Sequence, residues 1–76
     1  MPDPNAWDDK DQALRFFQFE HLPEDLQAIS KQVYVLAEAM YEALSPGAEK
    51  SAGMHKLLEA KDAFVRQALD DRPRTQ

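Results

Sequence analysis

The chain has 76 residues, with 14 acidic and 9 basic side chains that give a formal net charge of −5. At this size a single chain buries only about 60% of its unfolded surface, and the absence of cysteine excludes a disulfide or a thiolate metal site as a supplement to the core. The acidic balance disfavours non-specific binding to DNA, RNA or anionic lipid, although a few bases gathered in one pocket can still bind a small anion.

Self-association is the remaining way to complete so small a core. His21 and His55 are too few and too far apart to suggest a metal site. No apolar run approaches the roughly 20 residues of a membrane span, and the first five residues lack the basic-then-apolar order of a signal peptide. The sequence therefore predicts a cytoplasmic homo-oligomer that does not contact membranes.

Both ends of the chain are predicted to be tails that flank one domain at residues 15–70. Within residues 1–14, Asn5 is a candidate N-cap with Asp8 three positions later, so this segment is interpreted as a tail or a short helix. A short helix would let Trp7 pack against a neighbouring chain. Residues 71–76 contain Pro73 and few apolar groups, which is typical of a loose tail.

An aromatic cluster comes next, with Phe16, Phe17 and Phe19 within four positions. Because Phe17 and Phe19 share one side only in an extended chain, residues 15–21 are predicted to form an extended arm. Its rings either stack on a nucleobase or close the core of a neighbouring chain. His21, just before the first long helix, is interpreted as either a hydrogen-bonded linker residue or a ligand contact.

The first long helix is predicted from Pro23 to about Leu44. Pro23 suits the first helical position, and the two carboxylates directly after it suit the positive end of a helix. Apolar residues then recur at spacings of four and three, as in a helix with one buried face. They are Leu22, Leu26, Ile29, Val33, Leu36, Met40 and Leu44.

A second long helix is predicted after the break at residues 45–47, with Ser45 as its N-cap and Pro46 as its first residue. So short a link predicts an antiparallel two-helix hairpin, and hence an all-α fold with an N-terminal arm. Tyr34, Tyr41 and Phe64 cannot all face the partner helix. This surplus apolar surface again predicts a homo-oligomer.

Catalysis is not predicted, because no nucleophile with a base, no phosphate-binding glycine loop and no metal-ligand spacing is visible in the sequence. The paired carboxylates fall at helix ends or in tails, where solvation and the helix dipole explain them. We therefore expect a protein without enzymatic activity, cofactor or metal.

The second helix concentrates basic side chains, since Lys50, His55, Lys56, Lys61 and Arg66 all lie on it. Lys50 and Lys61 are about three turns apart and so lie on one face. Two interpretations stay open. One is a solvated face with an Asp62–Arg66 pair one turn apart, and the other is an anion pocket at a boundary between chains.

The order of short motifs along residues 15–69 resembles the hairpin domain of the phage anti-CBASS and anti-Thoeris sponges, which sequester cyclic nucleotide signals of bacterial defence. The matching motifs are Phe17-x-Phe19-Glu20-His21-Leu22-Pro23-Glu24, Leu36-Ala37-Glu38, Glu49-Lys50-Ser51 and Lys56-Leu57-x-Glu59-Ala60.

The resemblance implies a binding protein that assembles, commonly as a hexamer, and holds a cyclic di- or trinucleotide, or a cyclic ADP-ribose isomer, in pockets between chains. Phe19 matches an aromatic residue that stacks on a base, and Arg66 matches an arginine of the trinucleotide site. Tyr34 stands where some members place a phosphate-binding lysine. The residues predicted to contact the ligand are Phe17, Phe19, His21, Tyr34, Lys50, Ser51, Lys56, Lys61 and Arg66. The alternative is a helical-hairpin module that binds another protein and has no small ligand.

Overall fold

The fold is that of a computed structural model, which describes residues 9–72. Over that range the secondary structure is helical, as predicted, and contains no strand. The elements are α1 (Lys10–Leu14), a 3-10 helix (Arg15–Phe17), α2 (Glu24–Ala43) and α3 (Ala48–Asp70). The predicted Asn5 cap and the packing of Trp7 lie outside the described residues.

The extended arm predicted for residues 15–21 is wrong at residues 15–17, which continue α1 as a 3-10 helix. Asp9 caps this helical segment, because its carboxylate accepts hydrogen bonds from the backbone N–H groups of Asp11 (2.9 Å) and Gln12 (3.3 Å). A helical turn places Leu14 and Phe17 on one side, and both are buried. Burial of Leu14 and Phe17 explains why the chain forms this turn. The helical segment therefore spans residue 15, where the domain was predicted to begin.

Helix α2 starts one residue later than predicted, because Pro23 is its N-cap and not its first residue. The Pro23 carbonyl accepts hydrogen bonds from the N–H groups of Leu26 and Gln27, each at 2.9 Å. The Gln27 side chain also donates to the Leu22 carbonyl at 2.8 Å. These contacts fix the direction in which the chain enters α2.

The predicted start of the second helix at Pro46 is wrong, since α3 begins at Ala48 with Gly47 as its N-cap. The longer link lets Lys50 reach back to the end of α2, where its ammonium donates to the Leu44 carbonyl at 2.9 Å. The same ammonium lies 3.6 Å from the centre of the Tyr41 ring. Lys50 therefore stabilises the turn between the two helices.

The tail predicted from residue 71 is also incorrect for its first two residues. The Asp71 N–H donates to the Gln67 carbonyl at 2.9 Å and ends α3. Arg72 forms a bidentate ion pair with Asp25 at the start of α2, with Nε–Oδ2 at 2.6 Å and Nη2–Oδ1 at 2.8 Å. This ion pair joins the end of α3 to the start of α2.

The core lies where the N-terminal helical segment packs across α2 and α3. Its buried apolar residues are Leu14, Phe17, Val33, Ala37 and Met54, with Tyr34, Tyr41, Leu57 and Leu58 packed around them. The Lys10 ammonium donates a hydrogen bond to the Glu42 carboxylate on α2, and its Nζ lies 3.8 Å from Oε2 of Glu38. These ion pairs join α1 to α2. The hydrogen bond to Glu42 raises the pKa of Lys10 above its usual value.

Residues 9–72 leave part of the apolar surface along α2 and α3 uncovered. Leu36 is 47% exposed, Met40 42% and Phe64 56%, so the predicted apolar stripe of α2 is only partly buried. Two clefts of about 540 and 280 Å³ run along this surface and share Leu36 and Leu57. The open apolar face, as we call it, consists of Ile29, Leu36, Met40, Leu44, Leu57 and Phe64.

None of the helices in residues 9–72 combines the length and the hydropathy that a bilayer span requires.

Candidate functional site

Three of the predicted ligand contacts converge on one small cleft between the start of α2 and the second half of α3. Its volume is about 280 Å³. We call it the basic cleft, and its lining residues are His21, Leu22, Lys61, Asp62, Val65 and Arg66. The fold thus brings His21 together with Lys61 and Arg66, which come from the opposite end of the described chain.

Arg66 is the exposed cation of the basic cleft. The predicted ion pair between Asp62 and Arg66 does not form, because none of the ion pairs within residues 9–72 joins them. Asp62 lines the same cleft and offsets part of its positive charge. An anion can therefore bind to the Arg66 guanidinium without breaking an ion pair with a carboxylate of the described residues.

Lys61 is not part of a solvated face, since only 8% of the residue is exposed. Its ammonium donates a hydrogen bond of 2.9 Å to the backbone carbonyl of Phe16 in the 3-10 helix. The lysine side chain therefore joins α3 to the N-terminal segment. It contributes positive charge to the wall of the basic cleft.

Phe19 and Tyr34, both predicted to contact the ligand, are in contact with each other. Their ring centroids are 5.6 Å apart and their planes meet at 68°, an edge-to-face arrangement. Both residues are half-buried. Phe19 lies only two residues before His21, so the aromatic pair and the basic cleft belong to one region of the fold.

Phe17 lies elsewhere, in the core, with no exposed surface. A ligand outside the folded chain has no access to its ring, so the structure places Phe17 as a core residue. Phe16 is 48% exposed and lies beneath the Arg15 guanidinium, 5.5 Å from the ring centre.

The predicted contacts in the first half of α3 do not line the basic cleft. Lys50 is engaged with the end of α2, and the Ser51 carbonyl lies 2.7 Å from Nδ1 of His55. Lys56 is exposed on the same helix. The predicted ligand contacts are therefore divided between two regions of the chain.

Sequence reasoning overlooked Leu22, Asp62 and Val65 as walls of the basic cleft. Asp62 and Val65 lie on adjacent turns of α3 with Lys61 and Arg66, so the spacings of three and four residues, which place side chains side by side on a helix, were a usable signal. Leu22 was assigned to the apolar stripe of the first helix. Its place in the turn before α2 instead puts it beside His21.

The ion pair between Asp25 and Arg72 predicts a pH dependence of defined sign. The hydrogen bond from Arg72 holds the pKa of Asp25 below its usual 3.8. A lowered pKa in the folded state stabilises the fold above about pH 3.8, and this contribution is lost as the pH falls through the folded-state value. The contribution is small because both side chains are well exposed.

We expect Arg72→Gln to raise the pKa of Asp25 toward its usual value, as measured by NMR titration of the Asp25 carboxyl carbon. Arg66→Gln is the matched control, since Arg66 does not contact Asp25 and its loss should leave that pKa unchanged. An Asp25 pKa that is the same in wild type and Arg72→Gln would contradict the ion pair.

Among the described residues, no group of three or more His, Cys, Asp or Glu side chains is arranged to hold a metal ion. No protein-family model, curated protein or solved structure matches the chain.

Proposed function

We propose that the protein is a phage-encoded sponge that binds and sequesters cyclic oligonucleotide immune signals in the host bacterial cytoplasm without cleaving them. The observation that carries this proposal is the convergence of His21, Lys61 and Arg66 on the basic cleft. The ligand class is the one implied by the resemblance to the anti-CBASS and anti-Thoeris sponges: a cyclic di- or trinucleotide, or a cyclic ADP-ribose isomer.

The chemistry of the basic cleft suits a phosphate. Charge-assisted hydrogen bonds from arginine or lysine to phosphate are about twice as strong as neutral ones, and a guanidinium can bind two phosphate oxygens at once. Arg66 is assigned this contact because it is exposed and has no ion-pair partner among the described residues. Phe19 is assigned the base, where stacking contributes roughly 1–3 kcal/mol.

One chain supplies only part of such a site. The basic cleft measures about 280 Å³, near the lower end of the range of about 300–1,000 Å³ for pockets that enclose drug-sized ligands, and a cyclic di- or trinucleotide is larger than most such ligands. A second copy of the chain would deepen the cleft, and the open apolar face supplies a reason for copies to associate. We therefore include in the proposal a homo-oligomer of antiparallel helical hairpins, a hexamer by the resemblance, with ligand sites at chain boundaries.

The proposal predicts that Arg66→Ala weakens binding of a cyclic nucleotide about 10- to 100-fold, the range for loss of a hydrogen bond to a charged group. The salt dependence of binding should also become shallower, because one phosphate contact is lost. Titration calorimetry at several salt concentrations, with ligands first selected by native mass spectrometry, measures both effects.

Lys31→Ala is the matched control, because Lys31 is an exposed base on α2 that does not line the basic cleft. It should leave affinity and salt dependence close to those of the wild type. Equal losses in Arg66→Ala and Lys31→Ala would reduce the effect to overall charge and contradict a phosphate site at Arg66. Time-dependent appearance of hydrolysed nucleotide would contradict sequestration without cleavage.

The alternative function is an interaction module that binds another protein, and the open apolar face favours it specifically. The larger of its two clefts, about 540 Å³, is lined mainly by aliphatic and aromatic side chains. The two functions separate in one experiment. Native mass spectra that show no bound cyclic nucleotide from a panel of di- and trinucleotides and cyclic ADP-ribose isomers would favour the interaction module.

A further inference from the structure

We infer that Lys61 is a positioning residue, which holds the segment from the 3-10 helix to Leu22 against α3 and thereby sets the places of Phe19 and His21. Its importance for ligand binding rests on the proposed function. The hydrogen bond from Lys61 to the Phe16 carbonyl does not depend on that proposal, because it is a contact within the chain. This role differs from the phosphate contact expected from the sequence.

Lys61 is a buried residue, and its ammonium donates a hydrogen bond to a distant part of the chain. An ammonium that is removed from water is costly unless hydrogen bonds replace its hydration, and Lys61 is 8% exposed. Within the described residues no carboxylate forms an ion pair with it. Its hydrogen-bond partner is instead the Phe16 carbonyl, 45 positions earlier in the chain and 2.9 Å away.

The Lys61 ammonium meets the Phe16 carbonyl where the 3-10 helix ends. A further 3-10 turn would direct the Phe19 N–H at the Phe16 carbonyl. The Phe19 N–H instead lies 3.3 Å from the Glu20 carboxylate, and Gln18 is already extended, with ψ of 145°. The Lys61 ammonium thus donates its hydrogen bond to the Phe16 carbonyl at the point where the 3-10 helix ends.

The residues just beyond the 3-10 helix carry the side chains assigned to the ligand. Phe19 packs on Tyr34. The Leu22 N–H then donates to the Phe19 carbonyl at 3.0 Å, closing the turn that carries His21. Holding the Phe16 carbonyl therefore fixes the start of the short segment that presents both Phe19 and His21.

Lys61→Met tests this inference, because methionine keeps an unbranched apolar stem and lacks the donor. We expect the Gln18 and Leu22 amides to exchange with solvent roughly 10- to 100-fold faster, the range for loss of a hydrogen bond from a charged donor. Amides in the middle of α2 should change less. Lys56→Met, an exposed lysine on the same helix, is the matched control and should leave the exchange pattern unchanged.

Two outcomes of the exchange experiment would overturn the inference. Unchanged exchange at Leu22 would show that Lys61 does not hold the segment. A uniform increase across α2, α3 and the turn would make Lys61 a general packing residue. This experiment needs no ligand, so it remains decisive even if the proposed function fails.

Ligand binding to the same variant separates positioning from direct contact. If Lys61 only positions the segment, Lys61→Met should reduce the salt dependence of cyclic nucleotide binding less than Arg66→Ala does, because its ammonium adds charge to the cleft wall without contacting phosphate. The affinity of Lys61→Met for the nucleotide should fall by no larger a factor than the fraction of molecules in which the segment from the 3-10 helix to Leu22 stays packed against α3. A salt dependence reduced as much as in Arg66→Ala would overturn the inference, since it would make Lys61 a phosphate ligand.

Discussion

We expect Phe17→Ala to lower the free energy of unfolding by about 3–5 kcal/mol, the range for removing a buried phenyl ring. Phe17 has no exposed surface and belongs to the cluster that includes Leu14, Val33 and Met54. The loss is large for a small domain, whose total stability is about 5–15 kcal/mol. Denaturant unfolding monitored by circular dichroism at a fixed protein concentration measures it.

Phe16→Ala is the matched control, because it removes the same ring from the adjacent position. Phe16 is 48% exposed, so its truncation should cost much less than that of Phe17. Similar losses for the two variants would contradict the selective burial of Phe17 in the core.

The residues of the aromatic cluster thus have two different roles, which the sequence could not assign to individual rings. Phe17 completes the core of its own chain, which neither of the interpretations of the cluster anticipated. Phe19 is half-buried at the edge of Tyr34 and keeps ring surface for another partner. The proposed role in binding is therefore assigned to Phe19 and not to Phe17.

The long helices were predictable because their signals are local. Leu26 and Val33 are buried on the predicted face of α2, and the start and end of that helix fall within a residue of Pro23 and Leu44. The segment before α2 was not predictable in the same way. Its turn depends on Leu14 and Phe17 packing against residues distant in sequence, and period-two alternation of Phe17 and Phe19 suggested the opposite conformation.

The candidate site was predictable in residue type and not in arrangement. The basic character of α3 is visible in the sequence, whereas the approach of His21 to Arg66 depends on how the chain turns before α2. The role of Lys61 was hidden because its partner is a backbone carbonyl, which carries no mark in the sequence. Spacing along one helix cannot reveal such a contact.

Hydrophobic periodicity likewise identified the apolar side chains of α2 without showing what covers them. Leu36, Met40 and Leu44 continue the stripe of Leu26 and Val33, yet all three are substantially exposed while Leu26 and Val33 are buried. A second copy presenting the same apolar side chains would complete the burial that the periodicity implies. The proposed oligomer and the partly exposed stripe are therefore two aspects of one feature.

Leu36→Glu is expected to dissociate the proposed oligomer. Leu36 is 47% exposed and lines both clefts of the open apolar face. Full burial of a leucine side chain contributes about 1.5–3 kcal/mol, and about half of this remains to be gained at an interface because Leu36 is already about half buried in the single chain. A two-fold interface loses this contribution from each copy, and since 1.4 kcal/mol corresponds to about a factor of ten, the dissociation constant should rise at least about 10-fold. Light scattering during size-exclusion chromatography at several concentrations measures the assembly.

Val35→Glu is the matched control for this variant, because Val35 is the preceding residue of α2, is 56% exposed and lines neither cleft. It adds the same negative charge to the same helix and should leave assembly intact. Circular dichroism should show that both variants keep their helices, since neither side chain belongs to the buried core. Equal dissociation by the two variants, or a wild type that stays monomeric at micromolar concentration, would contradict assembly through the open apolar face.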